Sequence, residues 1–223
     1  MSTIAANFNI AVLSRLLIGG ISLIIVSLLT RMLGPVEFGY YSLIFAYLYI
    51  FYTLADLGLY TVLVREISRP DAAEAKIVSN ILSLRLVALA GWLAVGIGLS
   101  QLLPYPAPVK HGIIIAAGAT VCMALVQVLT GIFQKHLRLF YTSLADVITR
   151  ALQLGLIAWY LHEQPGLLTF VWIVLAVEIV HLLLTYWFAR RLVGFGLAID
   201  ITYWRRTLKT ALPIAISLVF VLL

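Results

Sequence analysis

Six ionisable side chains lie inside stretches of this chain that are otherwise apolar. They are three arginines and three acids: Arg15, Asp56, Arg85, Asp146, Arg150 and Glu178. A charged side chain inside a membrane-spanning helix is costly, and it usually faces a partner or a water-filled cavity. Because the six lie at similar depth, we expect them to line an inward-opening, water-filled cavity. The alternative is a closed network of ion pairs that holds the helices together.

Helical spacing places these charges on polar faces. In the second apolar segment, steps of three and four residues align Ser42, Phe45, Tyr49, Tyr52, Asp56 and Tyr60. The fifth segment aligns Thr142, Ser143, Asp146, Thr149, Arg150 and Gln153 in the same way. Asp146 and Arg150 are one helical turn apart, so mutual neutralisation is an alternative to ligand binding. Gln127 and His181 are each more typical of an interhelical hydrogen bond than of a ligand site.

Other chemistries find little support. Cys122 is the only cysteine and lies in an apolar segment, so neither a disulfide nor a cysteine metal site is expected. The four histidines lack metal-ligand spacing. The net charge of +6 comes from basic residues scattered over loops, which favours contact with anionic lipid over nucleic acid. We predict no metal, no cofactor, no catalytic residue and no nucleic-acid partner.

The elements that carry these faces are membrane spans. The chain has 63% apolar and 11% charged residues, and its mean hydropathy is +1.09. A bilayer core about 30 Å thick needs roughly 20 apolar residues per helix. Six segments qualify: residues 9–30, 39–64, 77–101, 112–133, 141–161 and 167–189. A seventh begins near residue 211 and is cut off at residue 223, so we expect a fragment of a longer protein.

The basic residues predict the orientation of these spans. Ten of the fifteen Lys and Arg residues lie in three loops, residues 65–76, 135–138 and 190–209, whereas the alternate loops are nearly free of them. Short cytoplasmic loops keep positive charge during insertion. We therefore predict an all-α, polytopic transmembrane bundle with six complete spans plus a truncated seventh. Its N-terminus lies in the cytoplasm, and its cavity lies in the cytoplasmic half.

A motif after the first span is more specific. The stretch RMLGPVEFGYY at residues 31–41 is followed by ADLGL at residues 55–59 and LVRE at residues 63–66. This pattern resembles the start of polysaccharide (O-antigen type) flippases of the multidrug/oligosaccharidyl-lipid/polysaccharide flippase superfamily. In physical terms, Gly34 allows a tight turn and Pro35 suits an early helix position. Gly39 is expected to let a neighbouring helix approach closely.

The resemblance covers essentially the whole chain and implies one lobe of a two-lobe transporter. Residues 1–207 would be the N-terminal six-helix lobe, and residues 208–223 the truncated start of the second. The implied activity is translocation of an undecaprenyl-diphosphate-linked oligosaccharide across the inner membrane, by rocking of the lobes, for surface polysaccharide such as lipopolysaccharide. The implied partners are the lipid-linked oligosaccharide, membrane lipids and the missing second lobe.

The resemblance also suggests roles for the membrane side chains. Guanidinium groups suit diphosphate or acidic sugars, and tyrosines can stack on sugar rings. The substrate-binding candidates are Arg15, Arg85, Arg150, Tyr49, Tyr52 and Gln127. The coupling or ion-pair candidates are Asp56, Asp146 and Glu178. Three acids balance three arginines, so a strongly cationic cavity in this lobe is not supported.

Three alternatives stay open. A multidrug or cation exporter of the same superfamily is expected to carry an acid in the first helix, where this chain has Arg15. A membrane enzyme that polymerises or ligates the same glycans usually has a large outer loop, which this chain lacks, so we predict no enzyme. The third alternative is a single-lobe remnant that folds but does not transport.

Overall fold

A computed structural model describes the backbone of residues 2–56, 58–163 and 165–222, and the side chains of residues 13–56, 58–161, 163, 165–211 and 213. Within these ranges the chain forms helices and turns without a strand, which confirms the predicted all-helical class. The helices are α1 Ser2–Asp56, α2 Leu59–Ile67, α3 Glu74–Leu102, α4 Ala107–Lys135, α5 Leu139–Trp159, α6 Leu167–Arg190 and α7 Ile201–Leu222, with a 3₁₀ turn Tyr160–His162 after α5.

Four helical stretches in the described residues are long and apolar enough to cross a membrane. They are Leu13–Asp56, Glu74–Leu102, Ala107–Lys135 and Leu167–Arg190. α5 is not among them, because Asp146, Arg150 and Gln153 lower the hydropathy of its 21 residues. α1 is long enough for two crossings, since its 55 residues rise about 80 Å as helix. The molecule is therefore a helical protein of membrane type, and the count of crossings stays a prediction.

The predicted turn at Gly34 is confirmed, and it divides α1 into two halves, residues 2–33 and 35–56. Gly34 has φ 69° and ψ 176°, a backbone conformation that a residue with a side chain rarely adopts. Pro35 opens the second half, where its fixed φ suits a helix and its missing N–H is not needed. The first half packs against α5 and α6, and the second half packs against α3 and α4.

A second break occurs at Gly58, where the sequence indicated a continuous span. Gly58 has φ 75° and ψ 12°, so α1 ends at Asp56 and α2 begins at Leu59. The single continuous helix implied for residues 39–64 is therefore wrong, whereas a membrane span over these residues stays a prediction. Apolar residues continue on both sides of Gly58, so hydropathy does not register the break, although a left-handed glycine commonly ends a helix.

Glycines set the distance between helices at three places, one of which is Gly112 of α4 against Ile44 of α1. A Cβ on Gly96 of α3 would lie 2.8 Å from the Phe51 ring of α1. A Cβ on Gly131 of α4 would lie 2.9 Å from the Leu63 side chain of α2. The close approach expected at Gly39 is wrong, because no described neighbouring atom lies within 4 Å of a Cβ built there. The tight contacts hold α1 and α2 against α3 and α4.

Candidate substrate cavity

A partly open cavity of about 220 Å³ lies between α1, α4, α5 and α6. Its wall is formed by Tyr52, Met123, Val126, Gln127, Asp146, Thr149, Arg150, Gln153, Val177, Glu178 and His181. The wall includes five of the nine candidate site residues: Tyr52, Gln127, Asp146, Arg150 and Glu178. Residues of the polar faces predicted on the second and fifth spans therefore meet polar residues of α4 and α6 at one space.

His181 connects α6 to α5 across this cavity. Its Nε2 lies 3.2 Å from Asp146 Oδ1, and its Nδ1 lies 3.6 Å from Glu178 Oε2. A protonated imidazole at this position has a carboxylate beside each ring nitrogen. The interpretation of His181 as an interhelical contact is confirmed. The contact between His181 and Glu178 was not predicted. The one indication of it in the sequence is that the two residues are three positions apart on the same helix.

The wall does not show a metal centre. Among the residues that the structure describes, no group of three or more His, Cys, Asp or Glu side chains is placed to hold a metal ion. Cys122 is a free, buried thiol on α4. The chemistry available in the cavity is hydrogen bonding, charge pairing and proton binding.

Arg150 stands in the same wall without an acidic partner. Its Nη1 donates a hydrogen bond to Gln153 Oε1 at 2.9 Å, and no carboxylate of the described chain lies within 4 Å of it. Arg150 and Asp146 therefore do not form an ion pair in the structure. The Asp146 carboxylate contacts His181 of α6 instead. Arg150 is exposed, so its guanidinium is accessible to a ligand in the cavity.

Arg85 lies behind the wall and is fully buried. Its Nη1 donates to Asp56 Oδ1, and its Nη2 donates to Gln127 Oε1 at 2.8 Å. The Tyr52 hydroxyl donates to the same Gln127 oxygen at 2.7 Å. The guanidinium carbon also lies 5.1 Å from the centroid of the Tyr52 ring. Arg85 is thus enclosed by three side chains and does not reach the cavity.

The break at Gly58 puts the end of α1 at the carboxylate that pairs with Arg85. α1 ends at Asp56, where the last carbonyl groups lack helical partners and the helix dipole is negative. The guanidinium of Arg85 compensates the carboxylate of Asp56. A buried ion pair is stabilised when further hydrogen bonds satisfy its remaining polar atoms. Gln127 supplies one of these bonds, whereas Arg85 Nε has no hydrogen-bond partner among the described residues.

Tyr52 and Gln127 lie between the cavity and the buried Asp56–Arg85 ion pair. Both line the cavity, and both contact Arg85 on their other side. A ligand that displaces either side chain therefore disturbs the Asp56–Arg85 ion pair. Arg85 is better described as a residue that positions the wall than as one that touches a ligand.

Tyr49 and Arg15 lie outside the wall. Tyr49 is 65% exposed and stacks on Tyr52, with ring centroids 6.0 Å apart and an interplanar angle of 21°. Arg15 is exposed on the first half of α1, about 28 Å along that helix from the turn at Gly34. It does not line the cavity. The expected convergence of charges therefore holds for α5 and α6, and for Arg85 indirectly, but not for Arg15.

The family described as "Polysaccharide biosynthesis protein" matches residues 4–223. The chain belongs to this family. No curated protein and no solved structure matches the chain. The matched range includes every helix that lines the cavity. This member of the polysaccharide biosynthesis family thus carries a polar cavity inside a helical protein of membrane type, an arrangement consistent with transport.

Proposed function

We propose that the protein translocates an oligosaccharide linked to undecaprenyl diphosphate across the inner membrane, for surface polysaccharide biosynthesis. The observation that carries this proposal is the cavity between α1, α4, α5 and α6. It offers amide, hydroxyl, carboxylate and guanidinium groups within helices whose outer surface is largely apolar. A sugar headgroup needs such groups while it passes through a bilayer, where unpaired polar groups are costly.

In this proposal the chain crosses the membrane six times and starts a seventh crossing. The two halves of α1 provide the first two crossings, with α2 extending the second. α3 to α6 provide the next four. The basic loops face the cytoplasm, as does the N-terminus. A second lobe of the same protein completes the central cavity, and rocking of the two lobes gives alternating access.

The exposure of each side chain suggests its role. Arg150 and Arg15 are the contacts we propose for the diphosphate or for acidic sugars, because both are exposed and guanidinium groups suit phosphate geometry. Tyr49 offers an exposed ring for stacking on a sugar. Gln127 and Tyr52 offer hydrogen bonds to hydroxyl groups.

The three acidic candidates also differ in whether they face the cavity. Asp146 and Glu178 face the cavity and are the candidates for coupling to an ion or a proton. Asp56 is held by Arg85, so its role in this proposal is to keep the buried network in place. No residue has a catalytic role.

A multidrug or cation exporter of the same superfamily is the second candidate. The observation that favours it is the acidic side of the wall, where Asp146 and Glu178 line the same cavity as Arg150. A single lobe that folds without transporting is the third reading. The two carboxylates favour a cationic ligand, whereas Arg150 favours an anionic one. Substitutions at Asp146 or Glu178 and at Arg150 therefore distinguish the exporter from the flippase.

The test replaces Arg150 with Gln in cells that depend on the protein for surface polysaccharide. We expect surface polysaccharide to fall about tenfold, the loss of about 1.4 kcal/mol of ligand interaction. Lipid-linked oligosaccharide should accumulate on the cytoplasmic side while membrane abundance stays unchanged. Arg138→Gln, which removes an exposed arginine from a loop outside the cavity, is the matched control.

Two results would argue against the proposal. Normal polysaccharide export by the Arg150→Gln variant would remove the assigned role of that arginine. Loss of resistance to organic cations in an Asp146→Asn variant that exports polysaccharide normally would favour the exporter.

A further inference from the structure

The linker segment, residues 191–200, joins α6 to α7 and runs against α3. Three of its backbone N–H groups donate hydrogen bonds to side chains of that helix. The pairs are Gly196 to Ser79 Oγ (3.0 Å), Ala198 to Ser83 Oγ (3.1 Å) and Asp200 to Asn80 Oδ1 (2.9 Å). The three acceptor side chains are buried. The linker segment is therefore a fixed part of the bundle surface.

This attachment leaves Leu197 and Ile199, which lie between the three donor residues, facing outward. Leu197 is 70% exposed and Ile199 is 73% exposed. Ile201, the first residue of α7, is 62% exposed. We call these three residues the apolar edge. Large aliphatic side chains that follow one another on a loop at such exposure mark a surface that something covers.

The exposed face of α7 continues the apolar edge with positive charge. Arg205 and Lys209 follow Ile201 at steps of four residues, so they share its face of the helix, and both are exposed. The adjacent face of α7 is occupied, since Trp204 and Leu208 pack in a cluster with α2 and α3. The edge and the basic face together form one amphipathic border.

The start of α7 is held firmly. The Asp200 carboxylate accepts a hydrogen bond from the Tyr203 backbone N–H at 3.0 Å. The same carboxylate lies 3.4 Å from Lys76 Nζ on α3. Because α7 is capped and docked in this way, the border keeps its direction without help from a ligand.

The amphipathic border lies next to the C-terminal end of α6, which carries aromatic and basic side chains like those found at a membrane interface. The guanidinium of Arg191 lies 3.6 Å from the Trp187 ring, and that of Arg190 lies 5.7 Å from the Tyr186 ring. Aromatic and basic side chains concentrate at the headgroup level of a membrane. The linker segment leaves α6 at this level, so its outward side chains meet the boundary between headgroups and acyl chains.

We propose that the apolar edge inserts into the cytoplasmic leaflet and that Arg205 and Lys209 bind the phosphate groups of anionic phospholipids there. The apolar side chains contact the acyl chains just below the headgroups, and the basic side chains bind the negatively charged headgroups. The site is distinct from the cavity and takes resident membrane lipid rather than transported lipid. It rests on the membrane orientation in the proposed function, but not on transport.

The first test measures depth. Single cysteines replace Leu197, Ile199 and Ile201, one at a time, in a Cys122→Ala background of the full chain, and each is spin-labelled in nanodiscs containing phosphatidylglycerol. We expect greater collision with oxygen than with a water-soluble nickel chelate, at about 5–10 Å below the phosphates. A label at Ala73, an exposed residue of the neighbouring loop, should report water.

Two results of this measurement would overturn the proposal. Labels that report water at all three positions would show that the edge stays outside the membrane. Labels that neither reagent reaches would show that protein covers the edge, either another part of the chain or a second copy.

The second test measures lipid choice. Phosphatidylglycerol should raise the thermal midpoint of the native chain above its value in phosphatidylcholine. The Arg205→Gln, Lys209→Gln double variant should lose at least half of this rise. The Arg69→Gln control removes an exposed arginine that pairs with Glu66, and it should keep the rise.

An equal rise in the double variant and the control would remove the lipid role of the two basic residues. Neither measurement uses transport. A chain with the expected label depths that fails to move oligosaccharide would refute the proposed function and leave the lipid site standing.

Discussion

Arg85 and Arg150 are both arginines inside the bundle, and their surroundings are opposite. Arg85 is fully buried, with a carboxylate, an amide and an aromatic ring around it. Arg150 is exposed in the cavity wall and has only the Gln153 amide as a hydrogen-bond partner among the described residues. A charge in an apolar segment does not by itself indicate contact with a substrate. The number of partners it already has separates a residue that holds helices together from one that is open to a ligand.

The largest effect that tests this comparison is on stability. Arg85→Gln leaves the Asp56 carboxylate without its cation, and we expect the free energy of unfolding to fall by about 3–5 kcal/mol. Arg150→Gln, the matched control, should change it by about 0.5 kcal/mol or less, because an exposed side chain leaves no buried charge behind. Thermal or denaturant unfolding in detergent measures both.

A double-mutant cycle sharpens the same prediction. Asp56→Asn together with Arg85→Gln should be less damaging than the sum of the single changes, with a coupling of about 0.5–3 kcal/mol. Equal stability of the Arg85→Gln and Arg150→Gln proteins would contradict the distinction between the two arginines.

A smaller effect concerns the close contact between α1 and α3. Gly96→Ala places a methyl group 2.8 Å from the Phe51 ring, and such overpacking costs about 1–3 kcal/mol. Gly98→Ala on the same helix is the control, because nothing lies within 4 Å of a Cβ there. Unfolding measurements should separate the two variants, and a Gly96→Ala protein as stable as Gly98→Ala would show that α1 can move away from α3 freely.

The smallest effect concerns the carboxylate of Asp200 at the start of α7. The hydrogen bond from the Tyr203 backbone N–H, aided by Lys76, holds the pKa of Asp200 below its ordinary value of 3.8. Since the folded pKa is the lower one, this carboxylate stabilises the fold above 3.8, and that contribution is lost as the pH falls below it. The native chain and the Asp200→Asn variant should therefore differ in thermal midpoint at neutral pH and converge in acid. A gap that is constant with pH would contradict this.

The two turns of the N-terminal region show how far sequence reasoning reaches. Gly34 and Pro35 stand together between two apolar segments, and the pattern predicted their turn correctly. Gly58 lies within one continuous apolar run, so the break that ends α1 was missed. Hydropathy reports where a chain can be buried, whereas the backbone conformation at a single glycine decides whether a helix continues.

The partners of the membrane charges were less predictable. Spacing along α5 allowed a pair between Asp146 and Arg150, but His181 on α6 takes the carboxylate instead. The enclosure of Arg85 depends on Gln127, 42 residues further along the chain. Periodicity gives the face and depth of a side chain, and only the packing of whole helices selects which faces meet.

The linker segment is bonded to α3 through its peptide groups, and this has a consequence for mutational tolerance. Every residue except proline carries the backbone N–H that Ser79 and Ser83 require, so positions 196 and 198 can accept almost any side chain without loss of those bonds. The serines on α3 have no such freedom, because their hydroxyl oxygens are the acceptors. In a saturation library, selection for folding should therefore deplete only proline at positions 196 and 198, but most substitutions at positions 79 and 83.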